Sequence, residues 1–211
     1  AATLLIWIHD RLHARGVDAP RLARVATEIG HYFVNRQSKD GSFGAGTEGA
    51  AVVSLLCALE RFRGRNSLRA AALKRATEWL VAQSTDPALT IAMARSRRAS
   101  YLVLRAALDL VEARPSSELR LAASRAGAGL MSWVYSRDVR LPDRSEARRA
   151  RIGTAGLPVA REDGAHVEFF DYPSAFELLR LADLTGEAFP ARVARRMLCA
   201  GRQLIDARTH D

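Results

Sequence analysis

Lysine, cysteine and long apolar runs are scarce in this chain of 211 residues. The scarcity of cysteine and that of apolar runs each exclude a class of protein. Lys39 and Lys74 are the only lysines among 32 basic residues, so the net charge of +9 is carried by arginine, and we attribute this bias to coding preference. Two cysteines cannot build a disulfide framework. No apolar run approaches the roughly 18 residues that cross a membrane. The 48% hydrophobic content excludes a disordered chain.

The beginning of the sequence carries no recognisable targeting signal. A short apolar stretch at residues 4–8 is followed directly by charged residues and has no basic segment before it, which is unlike a signal peptide. Cys57 and Cys199 lie inside apolar helical patterns, where a free cysteine behaves as a small buried hydrophobe. We therefore expect a cytoplasmic protein. The abrupt helical start suggests a piece of a longer chain.

The spacing of apolar residues predicts eight helices and no strand, because a period of 3.6 residues recurs and a period of 2 does not. Ser67 is expected to cap the fourth helix, and Ser174 with Glu177 to form a capping box at the seventh. The helices are expected at residues 1–14, 20–36, 48–61, 68–83, 94–112, 118–135, 174–186 and from 190 onward.

Two kinds of helix alternate along the chain. The first, third, fifth and seventh are mostly apolar, whereas the others are amphipathic with arginine on their polar side. This alternation predicts inner and outer helices joined in antiparallel hairpins. The end of the second helix and its Gln37 are repeated at Gln83, 46 residues later, which fits one hairpin per repeat.

The loop at residues 37–44, with the sequence QSKDGSFG, resembles the repeat loop of terpenoid cyclases and protein prenyltransferase β-subunits. In that family, glutamine, glycine and an aromatic residue join an outer to an inner helix of an α/α toroid. The resemblance implies a structural role for Gln37, Asp40, Gly41 and Phe43. Residues 171–179 and 184–187 also resemble inner-helix segments of α/α-barrel carbohydrate enzymes.

The chain departs from that family in its chemistry and its length. It has no Asp-Asp pair, so the family's aspartate-rich motifs are missing, and the family's zinc-ligand set has no counterpart. We expect no metal and no cofactor. A ring of six hairpins would need roughly 280 residues. Four hairpins therefore predict a single domain over residues 1–211 that is an arc, a smaller barrel or part of a larger toroid.

The predicted topology brings three connections to one rim, at residues 37–47, 84–96 and 137–172. The last is the longest, and it holds the densest cluster of titratable groups: Asp163, His166, Glu168 and Asp171. These residues are candidates for acid–base catalysis. The alternative is that Asp171 caps the seventh helix and the others are polar loop residues. Arg95, Arg97 and Arg98, with Tyr172, could bind an anion, or could form a solvated helix start.

The connection at 137–172 is also rich in arginine. Arg144, Arg148, Arg149 and Arg151 are candidate contacts to nucleic acid or to an acidic partner. Against this interpretation, the loop contains no interleaved aromatic residues and matches no nucleic-acid motif.

Two main functions remain open from the sequence. The first is a helical-repeat module that binds a protein partner, the rest of a longer chain, or a small hydrophobic or anionic ligand, without the family's metal-dependent chemistry. The alternative is an enzyme of the terpenoid-cyclase or α/α-barrel type that uses the acidic and histidine cluster. A third hypothesis is a subunit that contacts nucleic acid through the arginine-rich loop.

Overall fold

The computed structural model describes residues 2–44, 48–86, 91, 93, 95–141, 146–149, 151–159 and 171–208. In these ranges nine helices are defined, and they pack against one another in neighbouring pairs. They are α1 Ala2–His13, α2 Pro20–Val34, α3 Glu48–Arg63, α4 Ser67–Ser84, α5 Arg97–Ala113, α6 Ser117–Met131, α7 Glu146–Arg149, α8 Tyr172–Thr185 and α9 Ala188–Arg208. The prediction of an all-α chain of helical hairpins is confirmed.

Two absences hold across the described ranges. Within them no strand is defined, and one isolated antiparallel bridge joins Val134 to Pro158. No helix among these residues combines the length and the apolar character that a membrane crossing requires.

Several helix ends differ from the predicted ones because a neighbouring side chain caps the helix instead. Asn66, not Ser67, caps α4, and its Oδ1 accepts from the backbone N–H groups of Leu68 and Arg69 at 3.1 and 3.2 Å. Asp171, not Ser174, caps α8. The predicted capping box was therefore wrong. The short helix α7 was not predicted, because its four residues, with the sequence EARR, contain no apolar pattern.

The chain forms two compact units. Unit 1 comprises Ala1–Thr85 and Arg105–Ala122, and unit 2 comprises Asp86–Leu104 and Ala123–Asp211. The prediction of a single domain remains a prediction, as does the shared rim.

Helix α3 forms the centre of unit 1. Residues 52–57 are all buried, as the continuous apolar run predicts. Cys57 belongs to this run, and burial raises the pKa of its thiol, with the charges of Asp109 and Glu60 acting in the same direction. Cys57 is thus a buried hydrophobe as expected, whereas Cys199 is exposed and its predicted burial was wrong.

Two ion pairs connect α3 to the end of α5 in unit 1. Arg61 Nη2 lies 2.7 Å from Glu112 Oε2, and Arg114 Nη2 lies 3.5 Å from Glu60 Oε2. Arg114 also donates to the Ala70 carbonyl of α4 at 3.2 Å. Arg114 thereby holds α3 and α4 at one end of their hairpin.

The glutamine loop of unit 1 is bound to α4 through a single side chain. Gln37 Nε2 donates to the carbonyls of Gly41 and Ala72 at 2.9 and 2.8 Å. Its Oε1 accepts from Nε and Nη2 of Arg75 at 3.0 and 2.6 Å. Asp40 closes the turn, since its Oδ1 accepts from the backbone and hydroxyl of Ser42 at 3.0 and 2.8 Å. Phe43 is buried behind the turn.

Gly41 allows this loop to approach α4 closely. Its φ is +91°, in the region that side chains other than glycine rarely adopt. An added Cβ would lie 2.7 Å from the Arg75 carbonyl carbon and closer still to its oxygen. The contacts of Gln37, Asp40, Gly41 and Phe43 are all of the structural kind that the sequence resemblance implies.

Unit 2 repeats this arrangement with different residues. Gly156 also has a φ of +91°, and an added Cβ there would lie 2.5 Å from the carbonyl oxygen of Arg196 in α9. Asp138 fixes the turn by accepting from the Ala155 backbone at 2.9 Å. In both units, therefore, a glycine with positive φ places a loop against the backbone of an amphipathic helix beside an arginine.

Candidate functional site

Only one of the predicted acid–base residues, Asp171, belongs to the described part of the chain. Asp163, His166 and Glu168 lie outside it, as does Arg144 of the predicted anion-contacting set. Within the described ranges, no three His, Cys, Asp or Glu side chains form a group that could hold a metal ion. The acid–base hypothesis for residues 163–168 remains a prediction.

Asp171 uses both of its carboxylate oxygens in structural contacts. Oδ1 accepts from the Ser174 backbone at 3.3 Å, which satisfies one of the free N–H groups at the start of α8. Oδ2 forms an ion pair with Nη1 of Arg97, at the first position of α5. The two side chains are 11% and 18% exposed, so water screens the pair only partly. The sequence analysis therefore identified two residues that do form a contact, and it also gave helix capping as the alternative role of Asp171.

A shallow, open pocket with a cavity volume of about 10 Å³ adjoins this ion pair. Its lining residues are Pro158, Asp171, Tyr172, Ala175 and Met197. This volume is about what one water molecule needs and is far below the roughly 300–1,000 Å³ that is usual for ligand sites. Tyr172, predicted to contact a ligand, does line the pocket, and α9 passes close to its ring, since an added Cβ at Gly201 would lie 3.2 Å from the phenolic oxygen.

The two arginines that flank Arg97 do not join this pocket. Arg95 and Arg98 are both exposed, and neither is among the residues that line it. Arg97 reaches Asp171, and anion binding by these three arginines remains a prediction.

The arginines of the long connection lie in different environments. Arg148 is half-buried, and its Nη1 donates to the Leu141 carbonyl at 3.1 Å. Arg149 and Arg151 are exposed. Arg151 has a φ of +54°, the one positive value among the described residues that are not glycine. Holding an arginine in this conformation costs about 1–2 kcal/mol.

The exposed side of α9 is basic, and the sequence interpretation missed it. From Ala188 to Gln203 the helix carries four arginines and no acidic residue. Arg192, Arg195 and Arg196 are exposed, whereas Ala194, Met197 and Ala200 are buried on the opposite side. The absence of Asp and Glu over these sixteen residues is the sequence signal that could have identified this basic side.

Two contacts hold the arginine-rich loop along this helix. Arg196 Nη1 donates to the Ser136 carbonyl at 3.3 Å, next to the exposed Arg137. Gln203 Oε1 accepts from the Gly153 backbone at 3.2 Å, two residues after Arg151. We define the basic face of unit 2 as these five exposed residues: Arg137, Arg151, Arg192, Arg195 and Arg196.

Negative charge is scarce at the basic face among the residues that can be described. Asp138 lies beside Gly153, with Oδ1 3.1 Å from the position of an added Cβ, and it already accepts from Ala155. None of the five arginines forms an ion pair within the described ranges. The face therefore presents its positive charge to solvent.

Comparisons of this chain with protein-family models, with curated proteins and with solved structures find no match.

Proposed function

We propose that this protein is a helical-hairpin module that binds an anionic partner through the basic face of unit 2, without chemistry of its own at the Arg97–Asp171 site. The observation that carries the proposal is the basic face itself: five exposed arginines on α9 and on the loop bound to it. The hairpins follow the terpenoid-cyclase-like toroid pattern indicated by the glutamine loop. A cytoplasmic location accompanies the proposal.

Arginine suits this role because its planar guanidinium presents several N–H donors to a carboxylate or phosphate. Charges spread over one exposed surface also attract an anionic partner over a range of about 10 Å at 0.1 M salt. Side chains that have no ion pair to break can form new ones with a partner at little cost.

The arrangement around Asp171 supports a binding role over catalysis. A general base must offer a lone pair to the reacting proton. Each oxygen of Asp171 already accepts one structural contact, from the N-terminus of α8 and from Arg97, so a reacting proton would compete with these contacts for the carboxylate. The pocket beside them is small and holds no second carboxylate among its lining residues.

Retention on immobilised heparin, a dense polyanion, tests the proposal. The basic-face variant replaces Arg137, Arg192 and Arg195 by Gln, because these three make no hydrogen bond to the backbone of unit 2 in the described ranges. The control variant replaces the exposed Arg15, Arg21 and Arg65 of unit 1 by Gln, with the same loss of net charge.

We expect the basic-face variant to elute at clearly lower salt than the native protein, and the control variant to elute close to it. Equal shifts for both variants would mean that net charge alone causes retention. That result would contradict a site on α9, as would a native protein that is not retained.

A further inference from the structure

The exposed side of α9 carries more than positive charge. Phe189, at the start of the helix, is 54% exposed although it is a large apolar side chain. The guanidinium carbon of Arg192 lies over its ring, 5.7 Å from the centroid. An exposed aromatic ring therefore adjoins the basic face.

Helical spacing aligns Phe189 with the arginines. Residues three, four and seven positions apart lie on one side of an α-helix. Phe189, Arg192, Arg196 and Gln203 follow this spacing and are all exposed. With a rise of about 1.5 Å per residue, the stripe from Phe189 to Gln203 is about 21 Å long.

We propose that this stripe binds single-stranded nucleic acid, with Phe189 stacking on a base and Arg192, Arg195 and Arg196 contacting successive phosphates. The proposal rests on the proposed function and names its partner. Proteins that bind single strands combine a basic track with aromatic rings on which bases stack. At 3.4 Å per stacked base, the stripe accommodates about six nucleotides.

A nucleic acid fits these observations better than an acidic protein does. Protein interfaces have an apolar centre surrounded by a polar rim. On α9 the order is different, because arginines occupy the centre of the exposed side and the aromatic ring stands at one end. Arg192 and Arg196, one helical turn apart, suit a partner whose charge repeats at short intervals.

Fluorescence anisotropy with labelled twelve-nucleotide oligothymidylate tests the proposal on the full chain. The variant is Phe189→Leu, which retains an apolar side chain and all the arginines. Its control is Phe176→Leu on α8, since Phe176 is 61% exposed and is not on the stripe. A twelve-base-pair duplex and a polyglutamate peptide of equal charge serve as competing probes.

We expect Phe189→Leu to weaken oligothymidylate binding roughly five- to 100-fold, as one lost base stack implies. Retention on heparin should stay unchanged, because the charges are intact, and Phe176→Leu should bind like the native protein. Circular dichroism of both variants serves as the control for folding.

Three results would overturn the proposal. The first is Phe189→Leu binding as tightly as the native protein, and the second is tighter binding to the duplex. The third is polyglutamate binding as tightly as the oligonucleotide, which would indicate an acidic protein partner and leave the proposed function in place. A native protein that is not retained on heparin would instead contradict the proposed function itself.

Discussion

The close approach of Gly41 to α4 leads to a quantitative expectation for Gly41→Ala. The substitution places an alanine at a φ of +91°, where a side chain costs about 1–2 kcal/mol. The added Cβ also meets the Arg75 carbonyl, so the loop must move away from α4. That movement breaks the three hydrogen bonds that Gln37 makes with Ala72 and Arg75, worth about 2–3 kcal/mol together. We expect a loss of about 3–5 kcal/mol in the free energy of unfolding.

Gly64→Ala is the matched control for this expectation. Gly64 has a φ of +78°, and no described atom lies within 4 Å of its added Cβ. Backbone strain alone should therefore cost about 1–2 kcal/mol at Gly64. Urea unfolding followed by circular dichroism at 222 nm measures both losses.

The double variant Gln37→Ala with Gly41→Ala tests whether the two residues share one contact. We expect its loss to be smaller than the combined losses of the single variants, because both remove the same attachment of the loop to α4. Equal losses for Gly41→Ala and Gly64→Ala would refute the reasoning, as would additive losses in the double variant.

Three further expectations follow from single residues. Asp171→Ala should lower the unfolding free energy by about 2–3 kcal/mol through loss of the helix cap and the pair with Arg97, and Asp171→Asn, which keeps an acceptor, by less, as urea unfolding will show; equal losses would contradict a contribution from the cap. Arg151→Gly should relieve the positive φ and raise stability by up to about 1 kcal/mol while weakening heparin retention, and a loss of stability would contradict the strain. Hydrogen bonds from Ser42 lower the pKa of Asp40. The ionised carboxylate therefore contributes to the stability of the fold above pH 3.8, its ordinary pKa, and this contribution is lost as the pH falls below that value. The stability difference between the native protein and Asp40→Asn should therefore shrink in that acid range, and a constant difference would contradict the shift.

The helical fold was accessible from sequence because apolar spacing is a local signal. The run at residues 52–57 has no polar side, and this part of α3 is accordingly buried on every side. Helix ends were less accessible, since Asn66 and Asp171 compete with neighbouring serines for the same backbone N–H groups. Which residue caps a helix depends on the path of the chain before it.

The candidate site was predictable only in part. Arg97 and Asp171 are 74 positions apart, and the prediction that they share one rim of inner helices brought them together. The basic face was missed because Cys199 was assigned to an apolar helical pattern. In the structure Met197 is buried, whereas Leu198 is 37% exposed and Cys199 lies among the exposed arginines. Sequence spacing alone does not show which side of α9 is covered.

The salt dependence of oligothymidylate binding tests the central claim most directly. For single strands, log K falls as log salt rises, and each phosphate contact that is removed makes this slope shallower by about 0.7. The variant lacking Arg137, Arg192 and Arg195 loses two of the proposed phosphate contacts, those of Arg192 and Arg195, so its slope should be shallower by about 1.4 than that of the native protein. The variant lacking Arg15, Arg21 and Arg65 should retain the native slope. Identical slopes for the two variants would contradict a binding site on the basic face of unit 2.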